Sequence, residues 1–119
     1  MRIEDLASMM LQLPDVTEND GFAGMVAFRV RGKSFCYLDP ADGTALLKAT
    51  RDEQAALVAE DHDTFTPRWS SGRFAWVEIN LARADPHELV ELVTEAWRHS
   101  APKRLASTLA EPTTRTPNL

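Results

Sequence analysis

The chain has 119 residues, 44% of them hydrophobic, and a formal net charge of −5 at pH 7. This length indicates one domain that buries a core without disulfides or metal, and the acidic balance excludes a protein whose entire surface binds nucleic acid. The single cysteine, Cys36, excludes an internal disulfide and a thiolate zinc site. The sequence has no secretory leader pattern and no run of about 18 apolar residues, so we expect a cytoplasmic protein with no membrane partner.

The first predicted element is a helix over residues 2–13. Its apolar residues recur at helical spacing: Ile3, Leu6, Met9, Met10 and Leu13. Glu4 and Asp5 fall in the first turn, where the helix dipole favours acids, and Pro14 ends the helix. Residues 15–24 are predicted as a turn segment that leads into the sheet.

Residues 25–38 are predicted to form the β-hairpin around which the rest of the chain is organised. A two-residue loop at Arg31-Gly32 or at Gly32-Lys33 gives the same facing, because both pairings keep the same parity. The predicted buried face then carries Val26, Phe28, Val30, Phe35 and Tyr37. The predicted opposite, basic face carries Arg29, Arg31 and Ser34, with Lys33 at the tip. Cys36 lies within the second strand, which favours a core residue over a reactive thiol.

A third strand over residues 44–48 follows the turn at residues 39–43, so residues 25–49 are predicted as a three-stranded meander. Thr50 and Glu53 then have the spacing of a capping box and begin a short helix that extends to about Glu60.

A second hairpin is predicted between residues 64 and 81. Its first strand, residues 64–69, contains Pro67 and therefore belongs at a sheet edge. Its second strand places Ala75, Val77, Ile79 and Leu81 on one face and Phe74, Trp76, Glu78 and Asn80 on the other.

The last predicted helix begins after Asp85 as N-cap, with Pro86 at its first position. Its apolar stripe consists of Leu89, Leu92, Val93, Ala96 and Trp97. The element order αβββαββα predicts an α+β domain with a mainly antiparallel sheet and both terminal helices on one face. We assign residues 1–109 to this domain and residues 110–119 to a flexible tail.

The titratable residues do not form a recognisable catalytic or metal-binding pattern. For His62, His87 and His99 we expect solvated or capping roles, and we predict neither a metal site, a cofactor nor catalytic residues. The acidic row of Glu88, Glu91 and Glu95 is typical of a solvated helix face. We therefore expect a protein that is not an enzyme.

The basic residues offer a nucleic-acid hypothesis. Arg29, Arg31, Lys33 and Lys48 gather on one predicted β-wing, and Arg68 and Arg73 flank the turn of a second. Two such wings would contact phosphates of DNA irrespective of base sequence. The alternative reading is that these charges keep sheet edges soluble. Trp69 and Trp76 would stack on bases in the first view, although core packing is the favoured interpretation of both.

Several segments together resemble the MmcQ/YjbR-like family. They are residues 13–20 (LPDVTEND), 27–38 (AFRVRGKSFCYL), 42–48 (DGTALLK), 52–61 (DEQAALVAED), 76–77 (WV) and 96–105 (AWRHSAPKRL). The resemblance implies a small α+β domain related in shape to the frataxin (CyaY-like) fold, and a DNA-binding function with a double-wing motif. It identifies no catalytic residues. The acids of the first helix, Glu4 and Asp5, are explained by the helix dipole, so they do not favour iron binding.

These residues agree with two functions. The first is a non-enzymatic DNA-binding domain that contacts phosphates through the six basic residues named above. The alternative is a protein-interaction or small-ligand module without nucleic-acid affinity, which predicts an exposed apolar patch or pocket near Trp69 and Trp76.

Overall fold

The computed structural model describes residues 1–109, and the predicted tail lies outside these residues. The elements in chain order are α1 (Ile3–Leu11), β1 (Val16–Asp20), β2 (Val26–Val30), β3 (Lys33–Asp39), β4 (Thr44–Thr50), α2 (Arg51–Glu60), β5 (Phe65–Ser71), β6 (Phe74–Asn80), α3 (Pro86–Ser100) and α4 (Lys103–Ala106). None of the helices in this part of the chain is long and apolar enough to span a membrane.

The strands form one six-stranded sheet in the order β1-β2-β3-β4-β6-β5, and every neighbouring pair is antiparallel. Helix α3 packs on β3 and β4, and α1 packs on α3 and β1. The α+β class, the antiparallel sheet and the placement of both terminal helices on one face are therefore confirmed. The likeness to the frataxin fold stays a prediction.

The core lies between the sheet and these helices. The sheet contributes Phe28, Val30, Phe35, Leu47, Val77 and Ile79, and the helices contribute Leu6, Met10, Leu89, Val93 and Trp97. The indole Nε1 of Trp97 donates a hydrogen bond to the carbonyl of Pro14 at 3.0 Å. This bond ties α3 to the segment that follows α1, so the buried indole has its polar atom satisfied.

Strand β1 is an addition to the predicted elements, because its residues were expected to form a turn. It pairs with β2 from Val16 opposite Val30 to Asp20 opposite Val26. After Val16 its residues are exposed and polar. A solvated edge strand of this kind lacks the alternation of apolar and polar residues from which a strand is predicted.

A β-bulge at Phe35 overturns the predicted facing of Tyr37. Phe28 lies opposite Cys36 and Arg29 lies opposite Ser34, so Phe35 is an extra residue on β3. Phe35 stays in the core, whereas Tyr37 lies opposite Ala27 on the other face of the sheet. The prediction that Tyr37 shares the face of Phe28 is therefore wrong, because the bulge changes the parity of the strand.

Local signals in the sequence define the turn and the caps. The hairpin turn is at Arg31-Gly32, with φ of 52° and 85°, which is the type I′ conformation that joins twisted strands. Thr50 and Glu53 make both bonds of a capping box at the start of α2. The Asp85 carboxylate caps α3 by accepting from the backbone N–H of Glu88 at 3.1 Å.

Candidate nucleic-acid interface

Two of the six predicted basic residues meet at the ring of Phe74, and a third lies near enough to interact with them. The Lys48 Nζ lies 4.5 Å from the ring centroid, and the guanidinium carbon of Arg73 lies 4.9 Å from the same centroid. An aromatic face attracts a cation, so one ring holds two positive charges. Lys33, at the end of the first hairpin, is near enough to act electrostatically on Lys48. We call Lys33, Lys48 and Arg73 the cation cluster.

The cation cluster concentrates uncompensated charge. Burial, and then repulsion from Lys33 and Arg73, lower the pKa of Lys48. The Lys48 ammonium donates a hydrogen bond to the Ser100 hydroxyl at 3.1 Å, which holds it at the C-terminal end of α3. Within residues 1–109, none of the three cations forms an ion pair with a carboxylate. An anion placed here would relieve the repulsion.

An open cleft borders the cation cluster. It has a volume of about 470 Å³ and is lined by Thr50, Arg51, Asp52, Arg73, Phe74 and His99. The Arg51 side chain donates to the carbonyl of Gly72 at 2.7 Å, which ties the first turn of α2 to the β5–β6 turn. The cleft is therefore walled by the second predicted wing and the start of α2.

The other three predicted basic residues are held by other partners. Arg31 pairs with Asp15 at 2.6 Å, and Arg68 pairs with Glu78 at 3.6 Å. The Nε of Arg29 donates to the Ser34 hydroxyl at 3.1 Å. Arg31 and Arg68, which are neutralised by carboxylates, contribute less to the attraction of phosphates than the cation cluster does, whereas Arg29 keeps its charge.

His99 is the one histidine that is mostly buried, with 18% of its side chain exposed among the described residues, against 82% for His62. Its Nε2 lies 3.1 Å from the Glu53 carboxylate, and its ring packs on Phe74. Burial raises the pKa of Glu53, but hydrogen bonds from Thr50 and His99 outweigh it, so the pKa is lowered.

A metal-binding geometry also exists at this point, because ligand atoms of Glu53, Glu95 and His99 lie within 4.8 Å of one another. Glu53 already accepts the backbone N–H of Thr50 at 2.8 Å in the capping box. Helix capping therefore accounts for the acid that such a site would need, and we assign no metal here.

Cys36 is fully buried, and burial raises its pKa above the ordinary value. The thiol is thus protonated at neutral pH and belongs to the core, as predicted from its position in a strand.

The sheet face opposite the helices carries a closed ring of four aromatic side chains, which we call the aromatic platform. Ring centroids are separated by 5.0 Å for Phe22 and Tyr37, 5.5 Å for Tyr37 and Trp76, 5.9 Å for Trp76 and Trp69, and 6.0 Å for Trp69 and Phe22. Phe22 and Trp69 are 48% and 45% exposed. The predicted core packing of Trp69 is therefore wrong, and Trp76, although half-buried, lies outside the core cluster.

A second β-bulge changes the sheet face on which Trp69 lies. Pairing of β5 with β6 shifts between Pro67 and Ser70, which leaves Arg68 and Trp69 together opposite Trp76. The Gln54 side chain on α2 donates to the carbonyls of Arg68 and Trp76 at 3.3 and 2.7 Å. This amide satisfies carbonyls that the broken ladder leaves unpaired.

The sequence contained a partial signal for the residues of the aromatic platform. Alternation along β6 placed Phe74 and Trp76 on the face opposite the core, and that placement is confirmed by the buried positions of Ala75 and Val77. The contribution of Phe22 had no such signal, because it lies in a loop. For Tyr37 the sequence pattern indicated the wrong face, because alternation gives no sign of the bulge at Phe35.

The chain is similar in sequence and in fold to one known family. The sequence model of the YjbR family matches residues 11–99, well over half of the chain. The structure is similar to the crystal structure of Deinococcus radiodurans protein DR2400, with a DUF419 domain, at a TM-score of 0.70 and 23% identity over 82% of this chain and 77% of that one. No curated protein matches the sequence. The fold likeness and the family match agree, and the chain belongs to the YjbR family.

Proposed function

We propose that this protein is a non-enzymatic DNA-binding domain whose cation cluster contacts the phosphate backbone. The observation that carries the proposal is the pair of cations on one ring, with Lys48 and Arg73 both within 5 Å of the Phe74 centroid. Holding like charges together costs free energy, and a phosphate would offset that cost.

The origin of the three cations supports a contact made by two wings. Lys33 follows the β2–β3 turn, Arg73 follows the β5–β6 turn, and Lys48 lies on β4 between them. The hairpin turns thus each bring one charge to a central lysine. Because the chain carries a net charge of −5, attraction of DNA would depend on this local concentration of positive charge.

A titration of the whole chain with a fluorescent duplex of about 20 base pairs tests the proposal. Three phosphate contacts predict a salt slope of about −2.7, so the affinity should fall about fortyfold between about 50 and 200 mM salt. Absence of binding at the lower salt concentration would overturn the proposal.

A second candidate function has its own observation. The exposure of Phe22 and Trp69 is the apolar patch that a protein-interaction or small-ligand module predicts. Such a module would show no salt-sensitive affinity for DNA, so the same titration distinguishes the two functions.

A further inference from the structure

We infer that the aromatic platform stacks unpaired bases, so that the nucleic acid bound is single-stranded DNA with its phosphates on the cation cluster. This inference rests on the proposed function and adds the class of nucleic acid. Non-specific single-strand binding combines a basic track for the backbone with aromatic side chains on which bases stack. Both parts are present on this molecule, and they adjoin.

The platform presents ring surface to solvent. The interplanar angles of the four neighbouring pairs run from 32° to 67°, so none of these pairs stacks face to face. Phe22 and Trp69 consequently keep nearly half of their surface exposed. A planar base can lie on such a ring, whereas the bases of an intact duplex are stacked on one another and do not present their faces.

The rings are held in place by the backbone around them. Two β-bulges put Tyr37 and Trp69 on this face, and the Gln54 amide fixes the second bulge. The loop that carries Phe22 sits directly on Tyr37. A Cβ added to Gly21 would lie 2.9 Å from the Met25 carbonyl oxygen and 3.1 Å from the Tyr37 ring. A preformed platform loses little conformational entropy when a ligand binds.

The cation cluster and the platform are neighbours in the sheet. Phe74 and Trp76 are two residues apart on β6, a separation of roughly 6.7 Å, and alternation places them on the same face. Lys48 lies opposite Trp76 in the β4–β6 register. The register thus sets the backbone of a platform residue beside that of a cluster residue, and the inferred path of the strand runs from the platform past Phe74 to the cation cluster at the end of α3.

The surroundings of the platform favour a polar ligand over a protein partner. On the same face β1 contributes the exposed polar residues Thr17 and Asn19, and Arg29 lies opposite Thr17. Stable protein interfaces bury about 800 Å² on each partner, with an apolar centre. The border of the four rings is instead polar and charged, which suits the polar edges and phosphates of a nucleic acid.

The test compares three labelled 20-mers with the whole chain: oligo-dT, an abasic strand with the same phosphates, and a duplex. We expect the wild-type protein to prefer oligo-dT to both others. Trp69→Ala should weaken oligo-dT binding by between about fivefold and about 150-fold, since stacking contributes about 1 to 3 kcal/mol per base. The same variant should leave the affinities for the abasic strand and for the duplex unchanged. Trp69→Phe, which keeps a ring, should restore most of the oligo-dT affinity.

Leu11→Ala is the matched control, because Leu11 on α1 is as exposed as Trp69, at 45%. Equal affinity of the wild type for oligo-dT and the abasic strand would overturn the inference. If salt-sensitive binding persisted in that case, the proposed function would stand. Failure of all three probes to bind at low salt would overturn both proposals. A change of oligomeric state in Trp69→Ala without nucleic-acid binding would instead indicate an interface between copies.

Discussion

Lys48 on β4 donates a hydrogen bond to the hydroxyl of Ser100, the last residue of α3, across 3.1 Å. Pairing of β3 with β4 ends at Cys36 opposite Leu47, so the next residue on β4 has no partner on that side. Its side chain reaches the helix end instead. The helix that covers the core thereby also positions the central charge of the cation cluster.

Ser100→Ala should lower the free energy of unfolding by about 1.5 kcal/mol, because it removes the acceptor of a hydrogen bond from a charged donor. Ser100 is only 3% exposed, so water does not readily replace the hydroxyl. Urea denaturation measures the change. Ser8→Ala, at an exposed position on α1, is the control and should have almost no effect. Equal stabilities of the two variants would contradict the role given to Ser100.

Gln54→Ala should lower stability by about 1 to 2 kcal/mol, since it leaves the carbonyls of Arg68 and Trp76 without the amide that satisfies them. It should also weaken binding of oligo-dT, because Trp69 lies in the bulge that this amide holds. Denaturation and the oligo-dT titration measure these effects. Gln12→Ala, an exposed glutamine after α1, should change neither quantity. Loss of stability with full oligo-dT affinity would show that the bulge does not position Trp69 for binding.

Glu88→Gln should raise stability at neutral pH by about 0.5 kcal/mol. Burial, and then neighbouring carboxylates, raise the pKa of Glu88; those neighbours are Glu60, Asp85, Glu91 and Asp61. The helix dipole favours an acid in this first turn, so the gain is small.

The stability gained by Glu88→Gln should depend on pH. A carboxyl with a raised pKa in the folded state contributes stability below its ordinary pKa of 4.5, and the contribution is lost as the pH rises through the raised value. The advantage of Glu88→Gln should therefore vanish below about pH 4 in denaturation measured across pH. Exposed Glu18→Gln serves as the control, and an advantage of Glu88→Gln that grew toward acid pH would contradict the account.

Most of the fold could be predicted from the sequence where a periodic pattern met a definite stop signal. The stripe from Leu89 to Trp97 defined α3, and Thr50 with Glu53 defined the start of α2. Strand β1 could not be predicted, because an edge strand that is solvated on most of its length needs no apolar residues. Its pairing depends on β2, which is a tertiary effect.

The candidate site was predictable only in its composition. Lys33, Lys48 and Arg73 were among the six basic residues that the sequence singled out. The meeting of Lys48 and Arg73 at Phe74, with Lys33 nearby, depends on strand order. The facing of Tyr37 and Trp69 depends on two bulges, and each bulge reverses a parity that the sequence pattern takes as unbroken.

Phosphate binding by the cation cluster is measured by the salt slope of duplex binding in the double variant Lys33→Gln/Arg73→Gln. Both residues are exposed, so their replacement should leave the fold intact. We expect a slope that is shallower by about 2 than that of the wild type. The control is Arg2→Gln, which should keep the wild-type slope. Arg2 precedes α1, and the next residues, Ile3 and Glu4, border Leu38 and Pro40 at the end of β3 away from Lys33. An unchanged slope in the double variant would contradict the claim that the cation cluster binds phosphate.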